Sequence, residues 1–209
     1  MRKLLMGALV LAGFAQPAHA EAGDVLVRLR GIMVAPNEDS GSVLPAFPGE
    51  EVSVDNNVMP EVDVTYMATD HIGFELIAAT TKHTASGVSG TTGDVGKLAS
   101  AWVLPPTLTL QYHPVANGPV RPYVGAGVNY TLFFDQQTSG PLAGAELDLG
   151  NSWGLAAHAG VDFRLADNRA IRLDVRWMDI DTDVSVNGAD VGTVKIDPLV
   201  YGVAYVWNF

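Results

Sequence analysis

The sequence predicts an all-β fold, an eight-stranded antiparallel up-and-down transmembrane β-barrel. Three observations carry that expectation. Residues 199–209 read Leu-Val-Tyr-Gly-Val-Ala-Tyr-Val-Trp-Asn-Phe, with large apolar or aromatic side chains at every odd position. Side chains alternate across a strand, so one face of this segment is greasy and the other narrow and mild. Its length suits a tilted membrane strand, which needs roughly 9–11 residues. Second, no apolar run after residue 20 approaches a membrane-spanning helix, and a closed sheet is the other structure that crosses a bilayer with every backbone group paired. Third, alternating stretches follow one another with connections that are long and short by turns, the rhythm of short periplasmic turns and long external loops.

The elements are expected in this order. Residues 1–20 form a secretory signal peptide: Arg2 and Lys3, a short apolar core, then Ala18-His19-Ala20 as a cleavage site. Its loss leaves one barrel domain over 21–209, and the formal charge of −11 becomes −13 without Arg2 and Lys3. Strands are expected over 24–34, 58–67, 72–81 and 107–113, then over 121–134, 152–165, 170–180 and 191–209. Residues 35–57 and 84–100, rich in Gly, Ser, Thr and Pro, are expected as loops. So is 135–151, with a turn or two of helix over 142–149, and so is the acidic stretch 181–190. The C-terminal side chains Tyr205, Trp207 and Phe209 mark the closing strand, where aromatic residues sit at the membrane interface. The chain has no cysteine, so no disulfide staples the fold. Its acidic balance excludes nucleic acid as a partner, because phosphate binding needs clustered Lys and Arg.

With the apolar faces in lipid, parity sends the charges inward. Arg28, Arg30, Arg164, Arg172, Arg176 and Lys195 face Glu61, Asp63, Glu75, Asp162, Asp174 and Asp197. Buried charge is tolerable when paired and hydrogen-bonded, and an eight-stranded barrel is just wide enough for side chains to fill. The expectation is a packed salt-bridge network, with a polar conduit as the alternative. His113 and His158 also point inward, toward interior hydrogen bonding.

Other motifs carry less. Asp179-x-Asp181-x-Asp183 has the spacing of a calcium loop, but Val184 stands where an EF-hand needs Gly and Asp190 where it needs Glu. It reads as the solvated end of a strand, with Asp179, Asp181 and Asp183 kept as metal candidates. His83 and Ser86 suggest acyl transfer, yet no third orienting group is evident; no enzyme activity and no cofactor are expected. Gly93 to Leu98 fails as a P-loop, since Leu98 replaces Ser/Thr.

Several segments, in order, resemble the OmpW family of outer-membrane proteins: Thr65-Tyr66-Met67-Ala68-Thr69-Asp70-His71-Ile72-Gly73, Leu104-Pro105-Pro106-Thr107-Leu108, residues 121–130, Trp177-Met178-Asp179-Ile180-Asp181-Thr182 and Ile196-Asp197-Pro198. The resemblance implies a bacterial outer-membrane barrel that passes small hydrophobic molecules through an apolar external funnel, with lateral exit between strands. Ile77, Trp153 and Arg176 are the expected funnel lining, although Arg176 stands where some relatives have tryptophan. The expected partners are outer-membrane lipid and lipopolysaccharide, the barrel-assembly machinery through the C-terminal strand, and small hydrophobic solutes. The alternative is a plugged barrel that serves as a structural or surface-interaction protein, a receptor or stress-related envelope component, without transport.

Overall fold

The computed structural model describes residues 21–37, 51–89 and 96–209; the leader expected at 1–20 lies outside them. The strands are β1 (Val25–Ala35), β2 (Glu51–Val54), β3 (Asn57–Met67), β4 (Ile72–Ala78), β5 (Thr81–Ser89), β6 (Gly96–Leu104) and β7 (Thr107–Tyr112). There follow β8 (Val120–Thr138), β9 (Leu147–Leu149), β10 (Ser152–Ala166), β11 (Arg169–Met178), β12 (Asp181–Val186), β13 (Ala189–Lys195) and β14 (Leu199–Asn208).

Eight of them close a barrel in the order β10-β11-β14-β1-β3-β4-β7-β8, with β8 pairing back to β10. Every neighbouring pair is antiparallel. The C-terminal strand lies between β1 and β11, and Val25 and Phe209 exchange backbone hydrogen bonds of 3.1 and 3.0 Å. Closure removes the sheet edges that a bilayer would not tolerate.

The outer face is apolar in three bands. Tyr66, Phe74, Tyr112, Phe163, Tyr205 and Trp207 ring the end with the short turns. Tyr130, Trp153, Trp177 and Tyr201 ring the other end, and Leu29, Leu76, Leu108, Leu155, Leu173 and Val203 lie between. Aromatic girdles flanking an aliphatic belt are the signature of a barrel in a membrane, where exposed Leu and Val cost nothing.

Beyond the barrel the structure departs from the sequence expectation in four places. The expected loop over 84–100 is largely strand: β5 pairs with β6, Thr81 opposite Val103 and Ala85 opposite Ala99, and β6 pairs with the outer part of β8. Small and hydroxylated side chains hide the alternation there, because both faces are mild; residues 90–95 lie outside the described residues. The expected helix over 142–149 is a 3-10 turn at Gly140–Leu142 followed by β9, which pairs with β12. Gly144 at φ 83° breaks any helix between them. The acidic connection 181–190 is instead the start of a hairpin, β12 with β13, turned by Asn187-Gly188 at φ 52° and 75°. Asn-Gly suits a two-residue turn in which both central residues have positive φ. Finally, 191–209 is not one strand. Asp197 at φ 35° and Pro198, which has no N–H, separate β13 from β14.

Candidate functional site: an apolar funnel above a charged lumen

The lumen has two halves. In the half nearer the short turns, a ladder of ion pairs crosses the barrel. At its base Arg172 grips Asp162 with two bonds, Nε to Oδ1 at 2.6 Å and Nη2 to Oδ2 at 2.8 Å. Arg121 reaches the same carboxylate at 3.5 Å. Arg172 lies over the Tyr123 ring at 3.9 Å and reaches Glu75 at 3.5 Å. Arg28 bonds Glu75 at 2.8 Å and Asp63 more closely. Arg30 joins Asp63, Glu61 and Asp174. At the top Arg176 donates to both oxygens of Glu61, at 2.8 and 3.1 Å. Each of these groups is at least nine-tenths buried, and five guanidinium groups meet five carboxylates, so the buried charge balances. Below the ladder Leu26, Met67, Ala170 and Val206 pack together at the periplasmic end.

Above Arg176 and Glu61 the chemistry changes. Ile32, Val34, Val103, Phe133, Met178, Ile180 and Val200 surround a cavity of about 180 Å³, and Glu61 and Arg176 form its floor. Its outer walls come from β5, β6, β9 and the β12–β13 hairpin, through Ala85, Leu98, Leu149, Val184 and Val194. Three strands that supply the charged ladder, β1, β8 and β11, thus also supply part of an apolar funnel higher up.

One side of the funnel wall is not zipped. β3 pairs with β1 along its whole length, but with β4 only from Val62 opposite Ala78 to Met67 opposite Gly73. Across residues 57–61 no strand pairing is present on that side among the described residues, and the Asn57 amide donating to the Lys82 carbonyl bridges the seam. Pro60 stands within this stretch and has no N–H to offer, as suits a strand edge.

The expected site residues fall into two sets. Arg28, Arg30, Glu61, Asp63, Glu75, Asp162, Arg172, Asp174 and Arg176 meet in the ladder. Arg164, Lys195 and Asp197 do not. Arg164 sits at the periplasmic rim beside a register irregularity and pairs with Asp167 at 3.1 Å. Lys195 is exposed on β13, outside the barrel, and Asp197 accepts from the Ile180 N–H at 3.1 Å. Trp153 is 75% exposed, on the outer face against Tyr130 at 4.5 Å, so it does not line the funnel. Its parity with Leu155 puts it there. Ile77 is buried in the lumen opposite Asp63 and Thr107, just below the cavity. Arg121, which the sequence reading left out of the network, belongs to it; its parity with Tyr123 was the available signal.

Of the metal candidates, Asp179 and Asp181 converge with Asp197, their oxygens within 4.8 Å of one another. Asp183 instead accepts from the Thr193 hydroxyl at 2.7 Å. The Asp181 carboxyl is held above the usual range by partial burial and by Asp197, Asp179 and Asp183, against the opposing pull of Lys195. His83 is bonded to Asp55 and Thr81, not to Ser86.

A closed eight-stranded barrel with an apolar waist, aromatic girdles and a filled lumen defines a β-barrel protein of the bacterial outer membrane. The OmpW family model matches residues 21–209, and the chain belongs to that family. It is 41% identical to outer membrane protein W of Escherichia coli over the full length of both chains. It is 31% identical to the dibenzothiophene metabolism operon protein PahQ of Pseudomonas aeruginosa, covering 75% of this chain and 74% of that one. Among solved structures, OprG of Pseudomonas aeruginosa superposes with a TM-score of 0.80 at 34% identity, over 92% of this chain and 98% of that one.

Proposed function

We propose that this barrel admits small hydrophobic molecules from outside the cell into the funnel and releases them sideways into the outer membrane through the seam between β3 and β5. The observation that carries the proposal is the juxtaposition of three things: an apolar cavity, a charged floor at Arg176 and Glu61, and an unzipped wall beside them. An apolar solute gains by entering the cavity and loses by displacing paired buried charges below it. The seam offers hydrocarbon on its far side, so exit through it keeps the solute out of water. A relative named for dibenzothiophene metabolism is in keeping with this solute class, since dibenzothiophene is a flat apolar molecule. In the same proposal the protein works without catalysis or cofactor. Tyr205, Trp207 and Phe209 offer the closing strand to the assembly machinery, and the acidic external rim shares cations with lipopolysaccharide phosphates.

A second reading has its own support. The filled ladder and the Leu26–Met67 cluster suit a plugged barrel whose external loops meet partners. Uptake of an apolar tracer into proteoliposomes separates the two, with heat-modifiable gel migration confirming insertion. Protein-dependent uptake supports the conduit, and uptake equal to that of protein-free vesicles supports the plugged barrel.

A further inference from the structure

The periplasmic mouth holds a second cavity, small and basic. Its volume is about 10 Å³, the room that one water-sized oxygen needs. Arg121, Arg164 and Arg169 border it, and at that size all three touch the same small space. No carboxylate borders it. The chain has 12 basic and 23 acidic residues, so three arginines on one cavity run against its overall balance. None of the three is fully engaged. Arg121 is 7% exposed, and its Nη2 lies 3.5 Å from Asp162, whose two oxygens Arg172 already holds. The Arg121 Nε is buried and has no hydrogen-bond partner. Arg164 donates from Nη2 alone, to the exposed Asp167 at 3.1 Å. Arg169 is exposed and has no ion-pair partner among the described residues. A buried donor without an acceptor costs free energy that an anion can recover. Ala170 and Val206 also border the cavity, and they belong to the apolar cluster that closes the lumen behind it. An apolar backing lowers the local dielectric and strengthens the pull of the arginines.

We propose that this cavity is an anion site at the periplasmic mouth that takes a phosphate group, from a phospholipid headgroup or from free phosphate. One phosphate oxygen enters the cavity and accepts from Arg121 Nε. The oxygens left outside accept from Arg164 and Arg169. Guanidinium forks match the spacing of phosphate oxygens, and the bonds are charge-assisted. The acids nearby are already engaged: Asp162 by Arg172, Asp167 by Arg164, and Asp24 by the Asn208 amide at 2.8 Å. The position favours a headgroup as the source. Arg169 stands opposite Trp207 in register, and Trp207 belongs to the aromatic girdle, which sits at headgroup depth. The site lies at the opposite end of the barrel from the funnel and does not depend on it.

The test uses the full barrel in maltoside micelles, which contain no phosphate. It follows the Nε–H resonance of Arg121, assigned with Arg121→Lys, and heat-modifiable migration confirms that each variant is folded. Inorganic phosphate and dihexanoyl phosphatidylglycerol are each expected to shift that resonance saturably. Sodium chloride at matched ionic strength and dihexanoylglycerol, which has no phosphate, are expected to leave it in place. Arg169→Gln, at an exposed position outside the ladder, is expected to weaken binding about ten-fold, the worth of one charge-assisted hydrogen bond. Arg164→Gln is expected to do the same. Tighter binding of the lipid than of inorganic phosphate assigns the site to the headgroup, and the reverse assigns it to the free anion. A shift that chloride reproduces, a shift that survives Arg164→Gln together with Arg169→Gln, or no shift with either phosphate probe overturns the site.

Discussion

β1, β8 and β11 run through both halves of this lumen, each at one parity, yet the chemistry of the halves is opposite. Between Arg176 and the Leu26–Met67 cluster, inward positions are mostly Arg, Asp, Glu, His, Thr and Tyr; above, they are mostly Ile, Val, Phe and Met. Both sets are buried from solvent. In a water-soluble protein the apolar set would be the core and the polar set the surface. Here lipid takes the outer face, and the barrel's stability must come from what fills its narrow interior. The lower half solves this with balanced charge, and the upper half leaves room. The contrast is between two kinds of burial: dense ion pairing below, and an apolar cavity without such pairing above.

That contrast can be broken most severely at Arg172. It holds Asp162 bidentately, reaches Glu75 and covers Tyr123, so Arg172→Ala leaves buried Asp162 with only the 3.5 Å contact of Arg121, and Glu75 with Arg28. Breaking such a pair costs about 3–5 kcal/mol, and urea titration of the lipid-embedded barrel is expected to show that loss. Gly127→Ala strains the same half differently. A Cβ there would stand 1.9 Å from the Leu108 carbonyl oxygen, so β7 and β8 must move apart. The expected result is weakened heat-resistant migration on gels.

A change in the upper half is expected to do the reverse. Ala101→Phe fills the funnel from β6 without touching an ion pair, so tracer uptake falls severalfold while the urea midpoint stays near that of the wild type. Trp153→Leu sharpens the placement of that residue: as a lipid-facing side chain its loss leaves uptake unchanged.

The smallest effect is expected outside the barrel, at Asp181. Its carboxyl is held above the ordinary value of 3.8, so the folded hairpin binds protons more readily than the unfolded chain. The ionised form therefore opposes folding at neutral pH, and the opposition vanishes once the group is protonated in both states. Asp181→Asn is expected to slow hydrogen exchange of β12 and β13 slightly at pH 7 and to leave it unchanged below pH 3.8.

Much of the fold was legible because a membrane barrel writes its two faces as strict alternation. The strands that became β1, β3, β4, β7, β8, β10, β11 and β14 all carry it, and parity alone sent Arg28, Arg30, Arg172 and Arg176 to meet Glu61, Asp63, Glu75 and Asp162. The method failed where alternation stops meaning membrane. In β5 and β6 both faces are mild, so a wall of the funnel read as loop. In β12 and β13 the Asn187-Gly188 turn was present in the sequence, but the acidic residues around it drew the reading toward a connection. Lys195 and Asp197 were expected inward, yet they share the odd parity of the lipid-facing Tyr201 and Val203, and Asp197 and Pro198 break the chain between β13 and β14. The cavity and the seam depend on which strands stop pairing, and no single strand's pattern contains that information.

The central claim is that apolar solutes leave sideways between β3 and β5, not through the charged lumen. The direct measurement is tracer uptake by one protein, Asn57→Cys with Lys82→Cys, in its oxidised and reduced forms, with the disulfide confirmed by mass. The account predicts that the staple across the seam abolishes uptake and that reduction restores it. Uptake that is equal in the two forms would contradict it and put the route through the lumen.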